Sequence, residues 1–112
     1  MNIETLRDYV LQKGRVTEGF PFGDQVIVFK VDMRIFLLVS LDTTPLQFNV
    51  KCDPDQAQEL RETFPDVVLP GFHMNKKHWN TVIVEGTLSK KQILEMIDHS
   101  YDLVAKVKKQ QS

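Results

Sequence analysis

Apolar residues along this chain switch between two spacings, and the switches outline its elements. Ile3, Leu6 and Val10 recur at helical spacing behind Asn2, a good helix cap, and Gly14 is placed to end that helix. Residues 14–24 hold Gly14, Gly19, Pro21 and Gly23 and are expected to form a connection, with Phe20 and Phe22 plugging the end of the core. The β-branched and aromatic run at residues 26–31 predicts a strand, and Asp32-Met33 a tight turn. Residues 35–39 are apolar on both faces, which predicts a strand in the middle of a sheet. After a second turn at residues 42–45, Leu46, Phe48, Val50 and Cys52 alternate with Gln47, Asn49 and Lys51. That strand has one core face and one polar face.

Helical spacing returns at Asp53, an N-cap followed by Pro54 at the first helical position, with Ala57, Leu60 and Phe64 as the buried stripe. Residues 64–66 stop this helix, a short strand follows at 67–69, and the last strand runs over 81–85. Ser89 caps a final helix whose stripe is Ile93, Ile97, Ser100, Val104 and Val107, and Lys106, Lys108 and Lys109 offset the dipole at its C-terminus. The order is α-β-β-β-α-β-β-α with short connections. It predicts a single α+β domain over residues 1–112, built on a mostly antiparallel five-stranded sheet packed with helices.

Composition agrees with one core: 112 residues, 42% hydrophobic and 26% charged, are enough for one domain without staples. Cys52 is the single cysteine, so no intramolecular disulfide forms. No apolar run approaches the ~20 residues of a membrane span, and the N-terminus lacks a signal-peptide pattern. A cytoplasmic protein with no membrane contact is expected. The net charge of −1 rules out polyanion binding by bulk charge, so any nucleic-acid contact must come from a local patch.

Catalytic signatures are missing. His73, His78 and His99 do not have a metal-ligand spacing, and Cys52 falls on the apolar face of its strand, as a structural thiol would. No glycine-rich phosphate loop follows a strand, and no serine nucleophile elbow is present. Asp53 and Asp55 are explained as helix-start residues. We therefore expect no enzyme and no cofactor. An enzymatic reading would need a concave pocket with a perturbed titrating group, around His78 and Tyr101.

The most unusual stretch is Pro70 to Trp79. A Pro-Gly turn opens it, two lysines, two histidines and two aromatics crowd into residues 72–79, and residues 67–84 contain no acid. Such a cationic loop suits a phosphate-facing role; the alternative is a polar hairpin tip with Trp79 buried. Gln47, Asn49 and Lys51 project from one strand face, Trp79, Thr81 and Ile83 from another, and Lys30 and Arg34 flank the first hairpin turn. Lys90 and Lys91 sit in the first turn of the last helix, where the dipole disfavours cations.

Pro70-Gly71 leading through Met74-Asn75-Lys76-Lys77-His78-Trp79 to Asn80-Thr81-Val82 resembles the MmcQ/YjbR family. So do Ser100-Tyr101-Asp102-Leu103-Val104 and a strand ending in Lys51-Cys52 before an Asp-Pro helix start. The similarity covers essentially the whole chain. It implies an α-β(3)-α-β(2)-α fold, related in shape to type III secretion chaperones and often called CyaY-like. The family is commonly labelled DNA-binding, with paired hairpins described as a double wing, and it brings no enzymatic activity with it. The resulting expectation is weak, salt-dependent binding of duplex DNA. Lys76 and Lys77 would hold phosphates, and Lys51, Asn75 and His78 would add hydrogen bonds. The competing expectation is a protein-interaction or chaperone-like module that binds a protein partner through the open sheet face or the helix surface.

Overall fold

The computed structural model describes residues 1–72 and 74–105. Each helix starts on the residue its sequence nominates. Asn2 accepts the Thr5 N–H ahead of α1 (Ile3–Leu11), and Asp53 accepts the Gln56 N–H ahead of α2 (Pro54–Thr63). Ser89 forms a reciprocal capping box with Gln92 ahead of α3 (Lys90–Val104). The strands are β1 (Val16–Gly19), β2 (Val26–Val31), β3 (Arg34–Ser40), β4 (Gln47–Lys51), β5 (Val68–Pro70) and β6 (Trp79–Ile83). Among the described residues they form one sheet in the order β1-β2-β3-β4-β6-β5, antiparallel throughout. The α+β architecture is as expected, with six strands where the pattern suggested five.

The added strand lies inside the supposed connection. β1 holds one apolar branched residue, Val16, too little for alternation to register; pairing from Val16↔Val31 to Gly19↔Val28 makes it a strand. With residues 16–19 paired, residues 20–25 become a hairpin connection at the end of the sheet. Phe20 and Phe22 are therefore 51% and 64% exposed instead of plugging the core. α1 also ends early, with Gln12 as C-cap, and the positive φ of 66° falls on Arg15, not Gly14. His73, Lys106, Val107, Lys108 and Lys109 lie outside the described residues.

Cross-strand pairing lines up the buried side chains. Ile27, Val39, Phe48, Val82 and Val68 form one row from β2 to β5, and Phe29, Leu37 and Val50 begin the next. Leu6, Val10, Ile93, Ile97 and Val104 join the same cluster, each at most 6% exposed, as their helical spacing predicted. Leu60 and Phe64 of α2 pack against it. All three helices thus cover one face of the sheet.

A bulge shapes this face. Phe29 pairs with Leu37 and Lys30 with Ile35, so Phe36 has no opposite residue on β2. Phe36 and Leu37 are consequently both fully buried in the cluster. The Tyr101 ring meets Phe36 edge-on at 5.4 Å, and its hydroxyl donates to the Gly14 carbonyl at 2.6 Å. The Lys13 ammonium lies 4.8 Å from the Tyr101 ring centre and 2.6 Å from Asp98. Asp98 also accepts from the Tyr9 hydroxyl at 2.7 Å; burial, then that hydrogen bond, pushes the Tyr9 pKa up to about 12.

Candidate nucleic-acid interface

Residues 71–78 join β5 to β6, and local chemistry holds them. The Asn75 side-chain oxygen accepts the Lys77 N–H at 2.9 Å, while its carbonyl accepts the His78 and Trp79 N–H groups. The Lys76 ammonium donates back to the Gly71 carbonyl at 3.0 Å. Gly71 donates its N–H to the Trp79 carbonyl at 2.9 Å, and a Cβ on it would stand 2.8 Å from the Trp79 Cβ. Only glycine permits that approach. From the helix side, the Arg61 guanidinium donates to Asn80 Oδ1 at 2.7 Å, to the Trp79 carbonyl at 3.2 Å and to the Lys76 carbonyl. Asn80 is 1% exposed, so this clamp is anchored inside the fold.

These contacts sort the residues proposed for phosphate binding. Asn75 shapes the turn. Lys76 is exposed but closes the loop through its ammonium. Lys77 is exposed, and its hydrogen bond to Asn75 uses only its backbone. His78 is partly buried, its carbonyl accepting the Cys52 N–H at 2.7 Å. Lys51 pairs with Trp79 across β4 and β6, which puts both on the helix-free face at the end of the sheet where the loop begins. Trp79 is partly buried, as its apolar ring requires.

The helix-free face has its own row: Val28, Leu38, Asn49, Thr81 and Leu69. The Thr81 hydroxyl donates to Asn49 Oδ1 at 2.5 Å and accepts the Phe72 N–H at 3.0 Å. This pair folds the start of the loop back over the sheet. Phe72, 49% exposed, and Phe22 then wall a cavity of about 440 Å³ with Leu38, Gln47, Asn49 and Met74.

Charge is unevenly distributed between the layers. Among the described residues the six strands hold one acidic side chain, Glu18, and it lies on the helix side. Arg7 binds it there, Nε to Oε1 at 2.7 Å, and holds its carboxyl below the usual range. By pairing, Lys30 and Lys51 fall on the helix-free face.

The helix side has a smaller cavity of about 170 Å³ between α2 and α3, bordered by Cys52, Leu60, Phe64, Asn80, Met96 and His99. Burial pushes the Cys52 thiol up to about 11, so it stays protonated at neutral pH. His99 Nε2 accepts the Asp53 N–H at 3.2 Å. Among the described residues no cluster of three or more His, Cys, Asp or Glu side chains is able to hold a metal. His78 and Tyr101 have different surroundings, one beside Cys52 and the other against Phe36 and Gly14. No helix among the described residues is long and apolar enough to cross a membrane.

A family model described as YjbR matches residues 11–103. The chain belongs to the YjbR family. YbdF of Escherichia coli O157:H7 is 35% identical over 90% of this chain and 82% of its own length. YjbR of Escherichia coli strain K12 is 31% identical over 90% and 85%; both are described as uncharacterized. The crystal structure of Deinococcus radiodurans protein DR2400, with family-model domain DUF419, is 37% identical and superposes at a TM-score of 0.90, covering 94% of this chain and 79% of that one. A Pseudomonas syringae crystal structure, 24% identical over 93% of this chain and 99% of that one, shares the fold at a TM-score of 0.74. The YjbR match takes in both the loop after Pro70 and the Ser100-Tyr101 segment of α3. In this YjbR domain the Arg61–Asn80 clamp and the Phe22–Phe72 cavity escaped the sequence reading. Arg61 sits beside the apolar stripe of α2 without disturbing its period, and the cavity walls lie fifty residues apart in the chain.

Proposed function

We propose that this domain is a non-catalytic, cytoplasmic nucleic-acid-binding protein that engages phosphates at the Lys51–Lys77 end of its helix-free face. The observation that supports this reading most is the charge segregation. Each helix carries at least two acidic side chains, among them Glu4 and Asp8 of α1 and Asp98 and Asp102 of α3, while the helix-free face of the sheet carries none. A net charge of −1 therefore coexists with a local cationic surface. Lys51 and Lys77 are the phosphate contacts. Asn75, Lys76 and His78 hold the loop that presents Lys77.

Titration of duplex DNA into labelled protein, followed by NMR at two salt concentrations, tests this. Shifts should gather at Lys51 and residues 74–79 and weaken with salt, with a logarithmic slope of about −0.9 per phosphate engaged. Lys77→Ala is the clean probe, because removing Lys76 would also open the loop. Unperturbed resonances there at low salt, with duplex DNA and with a single strand alike, would overturn the reading. A protein-interaction role is the second reading, favoured by the exposed Phe20, Phe22, Met33 and Phe72. It predicts binding that resists salt.

A further inference from the structure

We infer that the nucleic acid this surface takes is single-stranded, laid across the strands with its phosphates on the lysine end and its bases against Phe22 and Phe72. This rests on the nucleic-acid reading above and adds the state of the strand. Three features of the helix-free face carry it together.

The first is charge complementarity along one line. Lys30 and Lys51 lie on β2 and β4, two strands apart and so roughly 10 Å from each other, near the same end of the sheet. Lys77 is exposed in the β5–β6 loop at that same end of the sheet. No acidic side chain interrupts the strands on this face. A backbone crossing the strands there meets cations and no acidic side chain of the strands themselves.

The second is the aromatic pair. Phe22 and Phe72 belong to loops from opposite ends of the sheet, and both border the same cavity of about 440 Å³. They keep 64% and 49% of their surface in solvent. Exposed rings on a sheet face are what unpaired bases stack on, and stacking needs no particular base. A duplex keeps its base faces stacked inside itself and cannot use them.

The third is polar equipment between the rings. Gln47 and Asn49 line the cavity floor. Asn49 uses its oxygen to accept from Thr81, which orients its amide NH2 as a free donor. Among the described residues the Gln47 side-chain amide makes no hydrogen bond, while its backbone pairs with Ser40 and Ile83. Amides placed between stacking rings read the edges of bases, which a purely apolar protein-docking surface does not require.

The test is fluorescence anisotropy with a labelled poly-thymidine oligomer, its RNA counterpart and a duplex of equal length. The single strands should bind at least tenfold tighter than the duplex. Their salt slope should be about −2, from roughly three phosphates at −0.7 each. Phe72→Leu and Phe22→Leu keep apolar bulk but remove the ring, and each should weaken single-strand binding by about 5- to 150-fold with an unchanged melting temperature. Phe72→Tyr should restore it. Duplex binding as tight as single-strand binding, or single-strand binding indifferent to both leucine variants, overturns this inference and leaves the phosphate-binding reading standing. Binding of neither form overturns both. Salt-resistant self-association that the leucine variants abolish would assign the rings to a protein interface and also overturn it.

Discussion

Replacing Ser100 with alanine should cost this fold far more than the loss of one oxygen suggests. The ladder between β3 and β4 ends at Leu37↔Val50, and the next residues along are Phe36 and Lys51. The bulge at Phe36 pulls that rung out of register. Ser100, fully buried on α3, restores it: its hydroxyl accepts the Lys51 N–H at 2.9 Å and donates to the Phe36 carbonyl at 2.6 Å. Alanine strands both groups. A buried polar group without a partner costs about 1–3 kcal/mol, and the Lys51 N–H, nearer the surface, recovers part of its loss from water; the total is roughly 2–4 kcal/mol. For a domain of this size that corresponds to a fall in Tm of roughly 8–20 °C. Thermal and urea denaturation followed by circular dichroism measure it, and the urea midpoint should fall at constant m-value. Hydrogen exchange at the Lys51 amide should accelerate at the same time. A Tm within about 3 °C of wild type would show that the hydroxyl relay is dispensable and that the bulge is satisfied in another way.

Other substitutions address the loops and the ionisable groups. Gly71→Ala places a Cβ 2.8 Å from the Trp79 Cβ and 3.0 Å from its carbonyl oxygen, so the loop must shift; a loss of about 1–3 kcal/mol in chemical denaturation is expected. Met33 sits at φ 71° after Asp32 at φ 51°, the paired left-handed geometry of a two-residue hairpin turn, and it is 78% exposed. Met33→Gly should therefore raise stability by about 0.5–1 kcal/mol on a urea curve. The Tyr9 pKa of about 12 lies above the ordinary phenol value, so its hydrogen bond to Asp98 contributes fully below pH ~10 and is lost as pH rises through the folded value. Tyr9→Phe should flatten the alkaline fall in urea midpoint over that window, and an unchanged fall would assign it to other groups.

The helices and five of the six strands, β2 to β6, were legible because their sequence signals stand on their own. Asn2, Asp53 and Ser89 cap where their side-chain chemistry predicts, and Leu6, Ile93 and Ile97 bury as their spacing requires. β1 was not legible, because Val16-Thr17-Glu18-Gly19 is a strand only by virtue of its partner. The exposure of Phe20 and Phe22 followed from the same omission. For the loop after Pro70, the sequence indicated that it is unusual and cationic but not how the charges are used. Lys76 and Lys77 are adjacent and identical in type, yet one closes the loop onto Gly71 and the other projects. Only the path of the backbone separates them, and that path is set by Arg61, fifteen residues upstream.

This arrangement separates what holds the domain together from what it offers a partner. The helix layer contains the large hydrophobic cluster, the Ser100 relay and the Tyr9–Lys13–Asp98 contacts. Arg61 reaches from that layer to the carbonyls of Lys76 and Trp79, so the loop is positioned by the core while Lys77 stays exposed. On the helix-free face, Val28, Leu38 and Thr81 are nearly inaccessible although no helix covers them: the Phe72 segment bonds to Thr81 and borders Leu38, and Phe20 and Pro21 lie beside Val28. Phe22, Phe72 and Lys77 remain in solvent at the rim. Exposed substitutions at that rim should leave stability within about 0.5 kcal/mol. Binding measured on such variants then reports on the surface alone, and loss of binding without loss of Tm distinguishes a contact residue from a structural one.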